Sequence, residues 1–426
     1  MRHAICSATI LALSLAALPA AEKPAKPVAE PAAKPRIVDC DAPVRSSKRG
    51  ICANRLQKQD FAALAPGVTW FYNWFHQTGD IAPAELQFEF LPMVWGNSPE
   101  RLAGLKSWLA AGNKPRAVLA INEPNLKGQA FISPETCATL YQQTREIADA
   151  YGIPTVGPHM SIGSAAGDSI TAMDPIEKKN LTYTFMMPYL KAFMHFRGKN
   201  DLPGIGVHAY GDINELKWVV GALYKEFGKP VWMTEYAWWG AKDAKAELEY
   251  LVQATDFLES SPMVAGYAWF KERSDNAKIG LLQTKPGELT PLGRAYVDMP
   301  VHDADVYYRI PGRLQAERYV EAGGWEARLT DDADGFLHLR AGEAGGAFAC
   351  NIAPAKAGEY KVQVRGGGGA GSLVIEVDGK RVGDVAIANG GWQTVDTTLR
   401  LRAGPQRLSI KSSAKGQSVN WIEFSR

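Results

Sequence analysis

The sequence predicts an α/β chain in two parts, a (β/α)8 TIM barrel followed by a C-terminal β-sandwich. Three observations carry this. Between Arg49 and about Pro300, short apolar runs alternate with longer segments whose apolar residues recur every three or four positions. The apolar runs lack polar alternation, as parallel strands covered by helices on both faces require. After Pro300 the helical period stops, and short alternating runs separated by glycine-rich turns take over.

Eight runs qualify as strands of the first part: RGICAN (49–54), VTWFYNW (68–74), EFLPMVW (89–95), AVLAINEP (117–124), PTVGPHM (154–160), GIGVHAY (204–210), PVWMTEYAW (230–238) and VAGYAWF (264–270). Helical periods fill several of the gaps, at 100–112, 134–152, 181–198, 213–228 and 244–260. Eight repeats in about 250 residues fit a barrel better than a doubly wound sheet. The second and third connections are short, so the early repeats should be irregular. We place this catalytic part at 37–300 and the β-sandwich at 312–426, on the runs GFLHLRA, EYKVQVRG, SLVIEVDG, TVDTTLRL, QRLSIKS and VNWIEF. RGGGGAGS (365–372) lacks a Gly-Lys-Ser/Thr ending and a following helix, so it reads as a flexible hairpin and not as a phosphate loop. TDDADG (330–335) lacks a glutamate at the twelfth position of a calcium loop and reads as a plain turn.

Residues 1–20 combine Arg2, an apolar run and the ending Pro19-Ala20, the pattern of a secretory signal peptide. The run, about 15 residues, is short for a spanning helix. Residues 21–36 are Pro, Ala and Lys rich and read as an extended tether. Export to the periplasm or the cell exterior is therefore expected. In an oxidising compartment Cys40 and Cys52 are close enough in sequence to close a small loop, and Cys137 and Cys350 are expected as buried thiols. The formal charge of +2 argues against a nucleic-acid or membrane partner.

In a barrel of this kind active residues project from the C-terminal ends of the strands. The strand ends read Asn54, Trp74, Trp95, Asn122-Glu123, His159, His208 with Tyr210, Glu235-Tyr236 and Trp269. Two are acids: Glu123 ends the fourth strand and Glu235 the seventh, on opposite sides of the mouth. Paired carboxyl groups across an aromatic cleft are what glycosidic cleavage needs, one donating a proton and the other meeting the cationic carbon. Trp74, Trp95, Trp238, Trp239 and Trp269 suit sugar faces. His208 and Tyr210, two residues apart on one face, are placed to hold the charge of Glu235. Trp218, inside a helical period, reads as packing. The seven histidines show no paired ligand spacing, and no HExxH or GxSxG occurs, so the chemistry should need no cofactor.

These residues resemble a known family. WFYNW (70–74), FLPMVWG (90–96), INEPN (121–125), GVHAYG (206–211), VWMTEYAW (231–238) and YAWF (267–270) are similar, in order, to the motifs of glycoside hydrolase family 128, β-1,3-glucanases of the retaining (β/α)8 clan. The resemblance implies Glu123 as general acid/base, Glu235 as nucleophile and Asn122 at the 2-hydroxyl of the sugar being cleaved. It implies aromatics at strands two, three and eight along the subsites. In the C-terminal part LQAERY (314–319), GGWQTV (390–395) and VNWIEF (419–424) resemble family 6-like carbohydrate-binding modules. That would make Glu317 a ligand of a structural calcium and Trp392 a sugar-stacking platform, although Ser418 stands where many such modules carry a ligand-binding Asn.

The expectation is a secreted, monomeric, retaining endo-β-1,3-glucanase with β-1,3-glucan as partner. A retaining barrel enzyme for another β-linked polysaccharide, and a non-catalytic glycan-binding protein, are the alternatives.

Overall fold

The structure, a computed structural model, describes residues 34–78, 88–274 and 279–426. The signal peptide and all but the end of the tether lie outside them. Among the described residues no helix is long and apolar enough to cross a membrane.

All eight strand candidates are strands: Arg49–Cys52, Trp70–Tyr72, Glu89–Phe90 with Met93–Val94, Val118–Ala120, Thr155–Val156 with His159–Ser161, Ile205–Ala209, Val231–Tyr236 and Val264–Phe270. The third and fifth are each broken in two at a proline, Pro92 and Pro158. Neither ring has an N–H to give to a ladder. The breaks divide the pairing into two sheets. One runs third, second, first, eighth, seventh, sixth and fifth; the other joins the second piece of the third, the fourth and the first piece of the fifth.

Every pairing in both sheets is parallel. An isolated bridge between Asn122 and His159, and a hydrogen bond from Met93 N–H to Phe75 O at 2.8 Å, connect the two sheets. The pairing is thus two sheets in chain order, where the sequence led us to expect one closed ring. At the base, Arg49 reaches from the first strand to the Tyr296 and Pro300 carbonyls, at 3.0 and 2.8 Å, and pairs with buried Glu259 at 3.6 Å.

Helices follow most strands, with Ser133, Asp212, Asp243 and Thr290 capping the N-termini of four of them. The helix expected over 181–198 begins only at Met186, because Lys179–Thr182 pairs with Thr171–Asp174 in a hairpin. Helix Ala244–Ser260 turns a second face toward the C-terminal region. There Asp256 accepts the Tyr319 hydroxyl at 2.9 Å and lies 3.0 Å from His302 Nε2.

From Val306 onward the regular elements are strands, in one sheet of seven and one of six. Arg36–Asp39, which straddles the boundary set between the tether and the catalytic part, pairs with Val306–Ile310 and so belongs to the seven-stranded sheet. RGGGGAGS is not a hairpin: Gly358–Gly368 lies in the six-stranded sheet and Gly371–Val377 in the other, so the glycines carry the chain across. The expected Cys40–Cys52 loop is not closed either. Cys40 Sγ donates to Arg309 O at 3.2 Å in the C-terminal region, and Cys52 Sγ to Trp269 O at 3.0 Å; both are free, as are buried Cys137 and Cys350.

One close approach sets the layer beneath the strand ends. The His159 ring lies on Gly206, where a Cβ would stand 2.0 Å from its Nδ1, and that nitrogen bonds to Thr234 Oγ1 at 2.8 Å. Gly206→Ala should therefore displace the ring and destabilise the fold by about 2–3 kcal/mol, read by urea denaturation.

Candidate active site

Glu123 reaches its position through an unusual stretch of backbone. Ile121 and Glu123 have φ of 69° and 40°, a region that costs a non-glycine residue of order 1 kcal/mol and persists only when neighbours fix it. They do: Asn122 N–H bonds to Trp95 O at 2.8 Å and Glu123 N–H to His159 O at 2.7 Å. The chain stays tied on both sides while it turns the carboxyl group over the strand ends.

Glu235 is buried in the seventh strand among three donors. Trp74 Nε1 donates to its Oε1 at 2.8 Å, Tyr72 O–H to the same oxygen at 3.0 Å, and Tyr210 O–H to Oε2. Three donors on two oxygens fix the orientation of this carboxyl group. Trp74 also has a left-handed φ of 59°, which brings its indole back over the sheet.

Between the two acids lies the fully enclosed ring of His208. Its Nδ1 is 2.9 Å from Glu123 Oε1, and its Nε2 is 3.5 Å from Glu235 Oε1, just too far for a good hydrogen bond. The two carboxyl groups thus lie against opposite nitrogens of one imidazole. Burial pulls the His208 pKa down, but the charges of Glu235 and Glu123 outweigh it and the net shift is upward. His159, one layer below, has only burial and the neighbouring His208 acting against its charge, and falls to about 3.

Above these groups opens a cleft of about 520 Å³. Glu123, Glu235, Asn122, Trp74, Trp95 and Tyr210 line it, as expected from the sequence. Asn122 gives its Nδ2 to Gln129 Oε1 at 3.0 Å and leaves Oδ1 without a protein partner. His208 is not a wall of the cleft but lies under it, and it contacts Glu123 more closely than Glu235. Trp238 and Trp269 do not line it: Trp238 packs on Tyr250, and buried Trp269 donates its indole N–H to Ile279 O at 2.7 Å. Trp239, also among the tryptophans assigned to sugar faces, does line it, and Phe270 takes the place expected for Trp269. Trp269 and Phe270 are consecutive in one strand and so point to opposite faces.

The sequence reading missed Tyr72, Gln129 and Lys271. Tyr72 had a signal, its spacing of two from Trp74. Gln129 and Lys271, on loops, had none. Trp218, read as packing, is 51% exposed and stacks on Phe185.

The remaining two expected residues lie in the C-terminal region. Trp392 is half-buried, its indole N–H given to Asp331 Oδ1 at 2.7 Å. Glu317 is buried with Oε2 unpartnered, and burial raises its pKa to about 8. Among the described residues no three His, Cys, Asp or Glu side chains converge to hold a metal ion. The nearby Asp332 and Asp334 are already paired with Arg365 and Arg313. One unpaired carboxyl group does not fit calcium, which normally gathers several charged oxygens.

The family model described as the glycosyl hydrolase catalytic core matches residues 50–296, more than half of the chain. Among solved structures, a family 128 (subgroup II) endo-β-1,3-glucanase from Pseudomonas viridiflava is 28% identical, with a TM-score of 0.52 over 61% of this chain and 100% of that one. Another of the same subgroup, from Sorangium cellulosum, is 32% identical, with a TM-score of 0.50 over 60% and 100%. No curated protein matches the chain.

Two stability measurements follow from these charges. Because the folded chain raises the His208 pKa above its ordinary 6.5, the charged ring stabilises the fold fully below that value and less as pH rises past the raised one. His208→Gln should cost about 2–3 kcal/mol near pH 5.5, with the gap narrowing as pH rises past the raised pKa, in urea titrations. Glu317 shifts stability with pH in the same direction: the fold holds it protonated by burial, so its cost is absent below its ordinary 4.5, grows as pH rises and is complete above about 8. Glu317→Gln should be near neutral at about pH 5 and stabilising by about 1–3 kcal/mol above pH 8 in the same assay.

Proposed function

This chain belongs to the glycosyl hydrolase catalytic core family, and from that premise we propose that it is a secreted endo-β-1,3-glucanase working by retaining double displacement. The observation that carries the reading is the convergence of Glu123 and Glu235 on opposite sides of one imidazole, beneath an aromatic cleft. Similarity to two structures described as endo-β-1,3-glucanases supports the substrate and the mode. The two parallel sheets are read as one (β/α)8 barrel interrupted at Pro92 and Pro158, and the two C-terminal sheets as a β-sandwich.

Glu235, ringed by three donors, is the carboxylate. It attacks the anomeric carbon while Glu123 passes its proton to the departing glycosidic oxygen, which leaves with the bonding pair. A glycosyl ester on Glu235 results. Glu123, now ionised, takes a proton from water; the hydroxide adds to the same carbon, the ester bond breaks and both glutamates return to their starting states. Tyr72, Trp74 and Tyr210 hold the carboxylate in line for attack. Asn122 Oδ1, its amide nitrogen committed to Gln129, is the free acceptor for a sugar hydroxyl, and Trp95, Trp239 and Phe270 offer flat faces to the rings.

On linear β-1,3-glucan, Glu235→Ala should lose at least about 1,000-fold in kcat and regain turnover with azide, giving a glycosyl azide of inverted configuration. Native activity in Glu235→Ala, read as released reducing sugar, would refute the assignment.

A further inference from the structure

A second cleft, of about 750 Å³ against about 520 Å³ for the catalytic one, opens where helix Ala244–Ser260 meets the C-terminal region. The helix explains the position. Lys245, Glu249, Gln253, Asp256 and Ser260 recur at steps of three or four residues and so share one face. Gln253, Asp256 and Ser260 line a narrow gap against Tyr319 and Trp325, whereas Lys245 and Glu249 line the open cleft.

The facing wall is made for a flat, hydroxylated ligand. Trp392 is pinned by its indole bond to Asp331 and by an edge-to-face contact with His338, centroids 5.1 Å apart at 76°, yet keeps part of its surface exposed. His338 is itself 91% buried, and its Nδ1 has no partner. Burial holds that ring near a pKa of about 4, so it is neutral at ordinary pH. Arg340, also in the lining, has no carboxylate partner among the described residues. Gly390 and Gly391 leave bare backbone, with nothing within 4 Å of where a Cβ would be.

Charges of both signs meet in this cleft: Lys245, Arg328 and Arg340 against Glu249 and Asp331. A polyanion would need one sign. A neutral polyol uses donors and acceptors together, and an aromatic face completes the match to sugar. Closeness to the catalytic cleft points to which sugar. Trp239 lines that cleft and Lys245, six residues later, lines this one, so these two residues are at most about 20 Å apart.

We propose that Lys245 and Glu249 on the helix and Trp392 on the C-terminal region form one composite glycan-binding cleft, which holds a further stretch of the β-1,3-glucan polymer engaged at Glu123 and Glu235. This rests on the functional reading above. The composite cleft fixes the two binding sites relative to each other, so polymer held at one is concentrated at the other.

Affinity electrophoresis of the full chain carrying Glu123→Gln and Glu235→Gln, in gels containing soluble β-1,3-glucan, tests it. Adding either Trp392→Ala or the pair Lys245→Ala and Glu249→Ala should weaken the apparent Kd about tenfold, while Trp392→Phe keeps most of the retardation. Thermal unfolding of each variant confirms that it is folded. Loss with Trp392→Ala but none with the helix pair would assign binding to the C-terminal region alone and overturn the shared cleft; no loss with either would overturn the site. Sugar release by the native chain is read separately. Retardation that depends on both walls, without hydrolysis of any β-glucan, would defeat the hydrolase reading and leave this cleft standing.

Discussion

Everything at the candidate site is arranged around a histidine enclosed between two glutamates. An imidazole out of water costs stability unless its nitrogens are engaged, and a carboxylate out of water costs more. His208 and Glu123 answer each other at 2.9 Å, and Glu235 is satisfied by Tyr72, Trp74 and Tyr210. These groups come from the second, fourth, sixth and seventh strands. These contacts form only when the strands stand in register, so they also fix the sheet geometry around the site. The layer beneath repeats the device with a different balance: His159, held by Thr234 and accommodated by Gly206, is neutral and structural.

Much of this was legible in the sequence, and the failures share a physical cause. Apolar runs marked all eight strands because burial on both faces leaves a composition signal that needs no knowledge of neighbours. Glu123 and Glu235 stood out because an acid ending such a run is costly without a purpose. What could not be read was anything decided by a partner far along the chain. Pro92 and Pro158 were visible, but their effect depended on which strand each would have paired with. Trp269 and Phe270 differ by one position, and only the face decides which meets solvent. Arg36–Asp39 joins a sheet whose next strand begins at Val306, and polar Lys380–Ile387 is a strand because Gly371–Val377 pairs with it. Cys40 and Cys52, twelve positions apart, are held by Arg309 and Trp269 in different regions.

Helix Ala244–Ser260 is the structural hinge between chemistry and the C-terminal region. Its apolar residues Leu251, Ala254 and Leu258 pack inward, Glu259 near its end pairs with Arg49 at the base of the first strand, and Asp256 receives Tyr319 from the other side. It follows the strand that carries Glu235, so the C-terminal region is connected to that strand through this helix and a short loop bearing Trp239.

The most direct test of the central claim is covalent trapping. Incubating the protein with an activated 2-deoxy-2-fluoro β-glucosyl donor, extended by β-1,3-linked glucose, slows breakdown of any glycosyl ester, and peptide mass spectrometry locates it. The account predicts a single stoichiometric label on Glu235. A label on Glu123, or hydrolysis of β-1,3-glucan by a protein that never acquires one, would contradict it.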